Sequence, residues 1–170
     1  MLLQNVPTPG ETWADLGAGS GTFTHALSEL LGPNGQVLAV DRNASALRHI
    51  GESPPDGAVI ETLHADFAEA LGLPPIDGLL LANSLHFVRS QVPVLRHHAG
   101  FLRPGGKALF LEYDTPRASP WNPHPLPFAR LAQVVAASGL GGLRELSRRP
   151  SAFGGRELYL VVALKPGAFV

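Results

Sequence analysis

The chain has 170 residues, 45% of them hydrophobic and 16% charged, a balance that excludes a disordered polymer and suits one domain with a real core. It has no cysteine, which excludes disulfide bridges and thiolate metal sites, and no apolar run reaches the roughly 18 residues of a membrane span. The net charge of −1 conceals an asymmetry: residues 1–85 carry two arginines against ten acids, a net −8, whereas residues 86–170 carry eleven lysines and arginines against four acids, a net +7.

Strand-like and helix-like segments alternate along the chain, the pattern of βαβ units around a parallel sheet. Thr12–Leu16 is the first expected strand. Thr22–Leu31 follows as a helix, with Phe23, Ala26, Leu27, Leu30 and Leu31 on one face and Gly32 as its stop. A second strand spans 36–40, after which Asn43 caps a helix that buries Ala44, Leu47 and Ile50. A third strand, 58–63, follows the turn residues Pro54, Pro55, Asp56 and Gly57, and a short helix is expected over 67–71, ahead of Pro74 and Pro75. The wholly apolar run 78–82 reads as a central strand covered on both faces. Next comes a helix with Val92, Leu95, Ala99 and Leu102 on one face, ending at Pro104-Gly105-Gly106. A strand over 107–113 and a helix over 128–138 complete the alternating part. The tail differs: strands over 143–148 and Glu157–Leu164 are joined by a short loop containing Gly154-Gly155, too short for a parallel crossover, so they must run antiparallel. No break divides residues 1–170, which read as a single domain. The N-terminal MLLQNVPTPG lacks the pattern of a secretory signal, and a cytoplasmic protein with no membrane association is expected.

The chemistry concentrates between the first strand and the first helix, in Asp15-Leu16-Gly17-Ala18-Gly19-Ser20-Gly21. Glycines there permit a tight turn and let a ligand approach the backbone, and the helix N-terminus behind them presents free N–H groups. Asp41, twenty residues beyond Gly21 at the end of the second strand, is placed to accept hydrogen bonds from ribose hydroxyls. Alone it could equally cap a helix. Combined with the glycine loop, and with the neighbouring Arg42, it belongs to a nucleoside site.

With these residues the chain resembles the class I S-adenosylmethionine-dependent methyltransferases. The glycine loop is similar to their first motif, with Asp15, Gly17, Ala18, Gly19 and Gly21 in its positions, and Asp41 to their ribose-binding acid. Asp66 and Phe67 resemble the pair that holds the adenine amine and packs on its ring. The run from Asp77 to His86 resembles the fourth-strand motif, with Asn83 at the turn that holds the cofactor's amino-acid end. Leu102 to Lys107 resembles the turn into the fifth strand. The resemblance implies a doubly wound α/β fold with a mostly parallel seven-stranded sheet of order 3-2-1-4-5-7-6 ending in an antiparallel hairpin. It also implies S-adenosyl-L-methionine as cofactor. A nicotinamide dehydrogenase is the rival, but the spacing G-x-G-x-G, the terminal hairpin and the lack of a catalytic second domain count against it.

His86, just past the fourth strand, is the candidate catalytic base, or else a wall of the pocket. Glu112 and Tyr113 stand at the end of the fifth strand with weaker claims. His97 and His98 have no metal-ligand spacing and read as a solvated helix face, so no metal site is expected. The segment 114–127 holds five prolines and Trp121, either a stiff substrate-side wall or a surface connection with Trp121 packed on the domain. The fourth-strand turn Asn83-Ser84-Leu85-His86 lacks the Asn-Pro-Pro-Tyr motif of adenine or glutamine N-methylation, and no cysteine is available for pyrimidine C5 chemistry. A small-molecule acceptor is therefore expected. With few residues ahead of Thr12, the helices that roof a small substrate are expected to be either missing or supplied by another chain. The alternatives are an RNA or protein acceptor on an open face, or a cofactor-binding protein without catalysis. Arg144, Arg148, Arg149 and Arg156 in the cationic half suit an anionic acceptor or partner.

Overall fold

Parallel strands covered on both faces must be apolar nearly throughout, and alternate side chains must serve opposite faces. The computed structural model describes Leu3, residues 6–151 and residues 157–167. Its elements are β1 (Thr12–Leu16), α1 (Thr22–Leu31), β2 (Gln36–Asp41), α2 (Ala44–Leu47), β3 (Val59–His64), β4 (Ile76–Ala82), a 3-10 turn (Leu85–Phe87), α3 (Gln91–Ala99), β5 (Leu102–Tyr113), α4 (Phe128–Ala137), β6 (Gly141–Pro150) and β7 (Glu157–Leu164). The strands form one seven-stranded sheet of order β3-β2-β1-β4-β5-β7-β6. β1 to β5 pair in parallel, and β7 runs antiparallel to both β5 and β6. This is the doubly wound α/β sheet with its terminal antiparallel pair. Gly154, Gly155 and Arg156 lie outside the described residues.

The alternation of β4 divides the core. Leu79 and Leu81 join Leu16, Val40 and Phe110 beneath α3 and α4, while Leu80 joins Trp13, Val37 and Leu109 beneath α1. At the centre Trp13 lies opposite Gly78 in the β1–β4 register, and a Cβ on Gly78 would fall 2.1 Å from the indole ring. Glycine is required there to seat the tryptophan. Among the described residues no helix is long and apolar enough to cross a membrane.

Three expected elements differ. Residues 67–71 form no helix: Asp66 instead closes a turn, its side chain accepting from the Ala68 N–H at 2.9 Å and its carbonyl from the Glu69 N–H at 3.1 Å. Five residues ahead of Gly72, Pro74 and Pro75 cannot offset helix nucleation. β5 begins at Leu102, which pairs with Ile76 rather than lying on a helix, and Pro104-Gly105-Gly106 is carried as an irregularity between the Ile76 and Gly78 pairings. The helix before it, α3, stops at Ala99. The Asn43-capped helix also ends early, at Leu47, although Asn43 does accept from the Ser45 and Ala46 N–H groups.

The connections from β1 and β4 leave toward opposite faces, α1 on one and α3 on the other. Adjacent strands whose connections diverge leave a crevice beyond their C-terminal ends, where open α/β sheets bind ligands.

Candidate functional site

That crevice is a cavity of about 370 Å³. Its floor is the glycine loop, with φ of +84° at Gly17 and +57° at Gly19. The Gly17 and Ala18 N–H groups donate to the Val40 carbonyl at 2.8 and 3.0 Å, tying the loop to β2. A Cβ on Gly17 would lie 2.5 Å from the Ser84 Cβ, whereas one on Gly19 would meet nothing within 4 Å. Gly17 thus lets the chain pack closely, and Gly19 leaves the backbone open to a ligand.

Asp41 ends β2 beside this loop. Its Oδ2 accepts from the Gly19 N–H at 2.8 Å and its Oδ1 from the Asn43 N–H at 2.7 Å. A carboxylate has about four lone-pair positions, so both oxygens keep capacity for a ligand. Across the cavity, Asp66 faces Arg42 at 3.9 Å, a surface pair of small energetic weight. Phe67, 8% exposed, completes that wall.

Asn83 closes the other side, at the end of β4. Its φ of +53° makes it the one non-glycine residue with positive φ among those described. Its N–H donates to the Leu111 carbonyl at 2.8 Å, but its buried Oδ1 has no partner. Asn83 thus combines a strained backbone and an unpartnered acceptor in a residue that lines the cavity.

Seven of the ten residues expected to hold a cofactor therefore line one cavity: Gly17, Gly19, Asp41, Arg42, Asp66, Phe67 and Asn83. Asp15, Ala18 and Gly21 stand behind it. Asp15 is 1% exposed and accepts from the Thr24 hydroxyl at 2.7 Å. Burial, reinforced by the charge of Asp41, pushes its carboxyl up to about 7. Ala18 packs on the small cluster of Ala39, Leu47 and Ile50, and Gly21 starts α1 where a Cβ would lie 2.9 Å from Ile50.

His86 does not line the cavity. It is 2% exposed, its Nδ1 lies 2.6 Å from Glu112 Oε2, and its backbone N–H donates to Glu112 Oε1 at 3.3 Å. Burial raises the Glu112 carboxyl despite this partnership. The imidazole packs on Phe87, ring centroids 4.4 Å apart, and Phe87, 46% exposed, does line the cavity with Val88 and Ser84. Sequence reasoning missed these three residues and the pairing of Glu112 with His86. The available signal for Phe87 was an aromatic in the turn that follows the apolar fourth strand.

The structure also revises the reading of His98 and decides between the alternatives for Trp121. His98 is not on a solvated face: it is 1% exposed, and its Nε2 lies 2.7 Å from the Phe67 carbonyl. Trp121 is 81% exposed and not packed on the domain. Its loop is anchored beside the site, with the His124 N–H donating to the His86 carbonyl at 3.0 Å. Arg148 is engaged by Asp114, Glu145 and Glu157 at 2.5 to 3.1 Å, so it is not a free cation. Among the described residues no group of three or more His, Asp or Glu is arranged for a metal ion.

A glycine-floored cavity at the β1–β4 switch point, with a carboxylate ending β2 and an antiparallel β7 inserted between β5 and β6, defines a methyltransferase-type α/β domain. Residues 14–108 match the methyltransferase domain family, and the chain belongs to it. It is 33% identical over 115 residues to the ubiquinone/menaquinone biosynthesis C-methyltransferase UbiE of Pasteurella multocida, covering 65% of this chain and 43% of that protein. It is 37% identical over 112 residues to the UbiE of Hahella chejuensis, covering 63% and 45%. The chain thus spans less than half the length of these relatives. Among solved structures, the YcgJ protein of Bacillus subtilis superposes with a TM-score of 0.74 at 12% identity, covering 98% of this chain and 97% of that one. The 1,6-didemethyltoxoflavin-N1-methyltransferase of Burkholderia thailandensis, solved with S-adenosylhomocysteine, superposes with a TM-score of 0.72 at 20% identity, covering 97% and 75%. These structural likenesses establish the fold.

Proposed function

We propose that residues 1–170 act as one domain that binds S-adenosyl-L-methionine in the cavity and directs methyl transfer to a small-molecule acceptor. The observation that carries this reading is one cavity lined by the open backbone of Gly19, the Asp41 carboxylate and Asn83, whose Oδ1 has no partner. Such a set suits a nucleoside with a cationic amino-acid tail: Asp41 for the ribose hydroxyls, Asp66 and Phe67 for the adenine, and Asn83 for the ammonium end. When bound, S-adenosylmethionine supplies an electrophilic methyl group on a sulfonium, which a nucleophile displaces.

The protein's own work is then to bind, orient and accept a proton. Glu112 takes the Nδ1–H of His86, which leaves Nε2 with a free lone pair. No hydrogen bond among the described residues occupies that nitrogen. We assign it the proton lost by the acceptor as the acceptor attacks the methyl group. The assignment requires an acceptor that reaches past Phe87. The acceptor is further proposed to be anionic, supported by the exposed Arg89, one residue beyond Val88 on the cavity wall, within the half of net charge +7.

A tritium-labelled methyl donor tests the proposal against cell extracts separated by size. Label should appear in small extractable molecules. His86→Ala should lower the rate by about a hundredfold or more, the usual weight of a general base, without weakening cofactor binding. For an anionic acceptor, apparent KM should rise with salt, and less so in Arg89→Ala. Label confined to protein or RNA, or a His86→Ala variant of undiminished rate, would contradict the corresponding assignment.

A further inference from the structure

We propose that His98 is a positioning residue for the adenine side of the cavity: its Nε2–H holds the Phe67 carbonyl and thereby sets the wall on which the cofactor's base packs. The inference rests on the cofactor reading above and extends it to α3, an element that does not itself line the cavity.

The segment 65–75 contains no helix or strand, so its carbonyls have no ladder to accept from and need donors from elsewhere. Among the described residues, two side chains outside the segment hydrogen-bond to it, and both are imidazoles on consecutive residues of α3. His97 Nε2 lies 2.7 Å from the Leu71 carbonyl, and His98 Nε2 lies 2.7 Å from the Phe67 carbonyl. A carbonyl can only accept, so each of these nitrogens carries the hydrogen. The His98 ring also meets the Phe67 ring edge-on, centroids 6.3 Å apart.

The His98 bond also comes with an uncompensated cost on the other ring nitrogen. With the proton on Nε2, its Nδ1 is a bare acceptor, and this atom is buried without a partner. Leucine or phenylalanine beside Phe67 and Phe101 would carry no unpartnered ring nitrogen, but would leave the Phe67 carbonyl without its donor. Retaining histidine trades an unsatisfied nitrogen for one donor, aimed at the backbone of the residue that walls the cavity. His97, by contrast, is exposed and its bond competes with water.

Glutamine places its amide nitrogen near the position of Nε2, and asparagine only near Nδ1. His98→Gln should therefore keep the bond, and His98→Asn and His98→Leu should lose it. In the unliganded protein, amide hydrogen exchange over residues 66–71 should quicken in His98→Asn and His98→Leu and stay as in wild type in His98→Gln. In titrations with S-adenosylhomocysteine, the first two should bind about three- to tenfold more weakly, the range of one net hydrogen bond, and His98→Gln as wild type. The proposal is overturned if exchange over 66–71 is the same in all four proteins. It is also overturned if His98→Gln behaves as His98→Leu. Exchange that follows the expected order with no S-adenosylhomocysteine binding in wild type would refute the cofactor reading and, with it, the adenine role of this wall. Weakened binding in Asp41→Ala alone, with every His98 variant as wild type, would refute only the positioning role.

Discussion

Asp15 shows how a residue can be legible in a motif and still differ in its duty. Its place ahead of the glycines marks the loop, but its side chain is turned inward to Thr24 and buried. A carboxyl raised to about 7 in the folded protein binds its proton more tightly folded than unfolded, where it titrates near 4. Stability from this group is therefore greatest at acidic pH. It declines as pH rises from about 4 to about 7 and is flat above, a span of about 4 kcal/mol at most. Asp15→Asn retains an oxygen for Thr24 and has no proton to lose. The Tm of Asp15→Asn relative to wild type should accordingly rise between pH 5 and pH 8. A difference independent of pH would show that Asp15 ionises freely in place. Asp41 was legible from its place at the end of the second strand, and Asp66 and Asn83 through the family resemblance of the turns that follow the third and fourth strands. The His86–Glu112 and His98–Phe67 contacts join residues 26 and 31 positions apart and depend on strand register and helix rotation, which no local pattern encodes.

At the level of elements, burial on two faces left a strong compositional trace in the inner strands, whereas the largely exposed edge strands β3 and β6 were located by their β-branched or leucine-rich runs and the turn residues around them. Boundaries failed where backbone-breaking residues were carried inside an element. Pro104-Gly105-Gly106 reads as a turn but is accommodated as an irregularity within β5, since a parallel neighbour tolerates a skipped pairing at Ile76 to Gly78. The turn at Asp66 replaces a helix for the opposite reason, too few residues to repay nucleation. The β1–β4 contact supplies a test of the central packing. Gly78→Ala would drive a methyl group into the Trp13 indole, and overpacking of this kind costs about 1–3 kcal/mol. For a domain of this length that corresponds to a fall in Tm of roughly 2–12 °C. An unchanged Tm would mean that the indole is free to move aside.

For the molecule as a whole, the order of the strands determines where chemistry can occur. Reversal of winding between β1 and β4 opens a crevice into which the ends of β1, β2 and β4 all deliver residues. The terminal antiparallel pair closes the far side of the sheet, and β7 covers β5 where Glu112 reaches across to His86. Within the cationic half, three of the four acids surround Arg148, while Arg89, the residue after the cavity-lining Val88, is exposed. The central claim, a cofactor held by the glycine loop, Asp41 and the Asp66–Phe67 wall, is tested most directly by calorimetric titration of wild type, Asp41→Ala and Asp66→Ala with S-adenosylmethionine and S-adenosylhomocysteine. Wild type should bind each ligand at one site, the two in competition. Asp41→Ala should bind about ten- to a hundredfold more weakly, as loss of a charge-assisted hydrogen bond requires. Asp66→Ala should weaken both ligands by similar factors, because the adenine is common to them. Folded wild-type protein that binds neither ligand, or an Asp41→Ala variant of undiminished affinity, would contradict it.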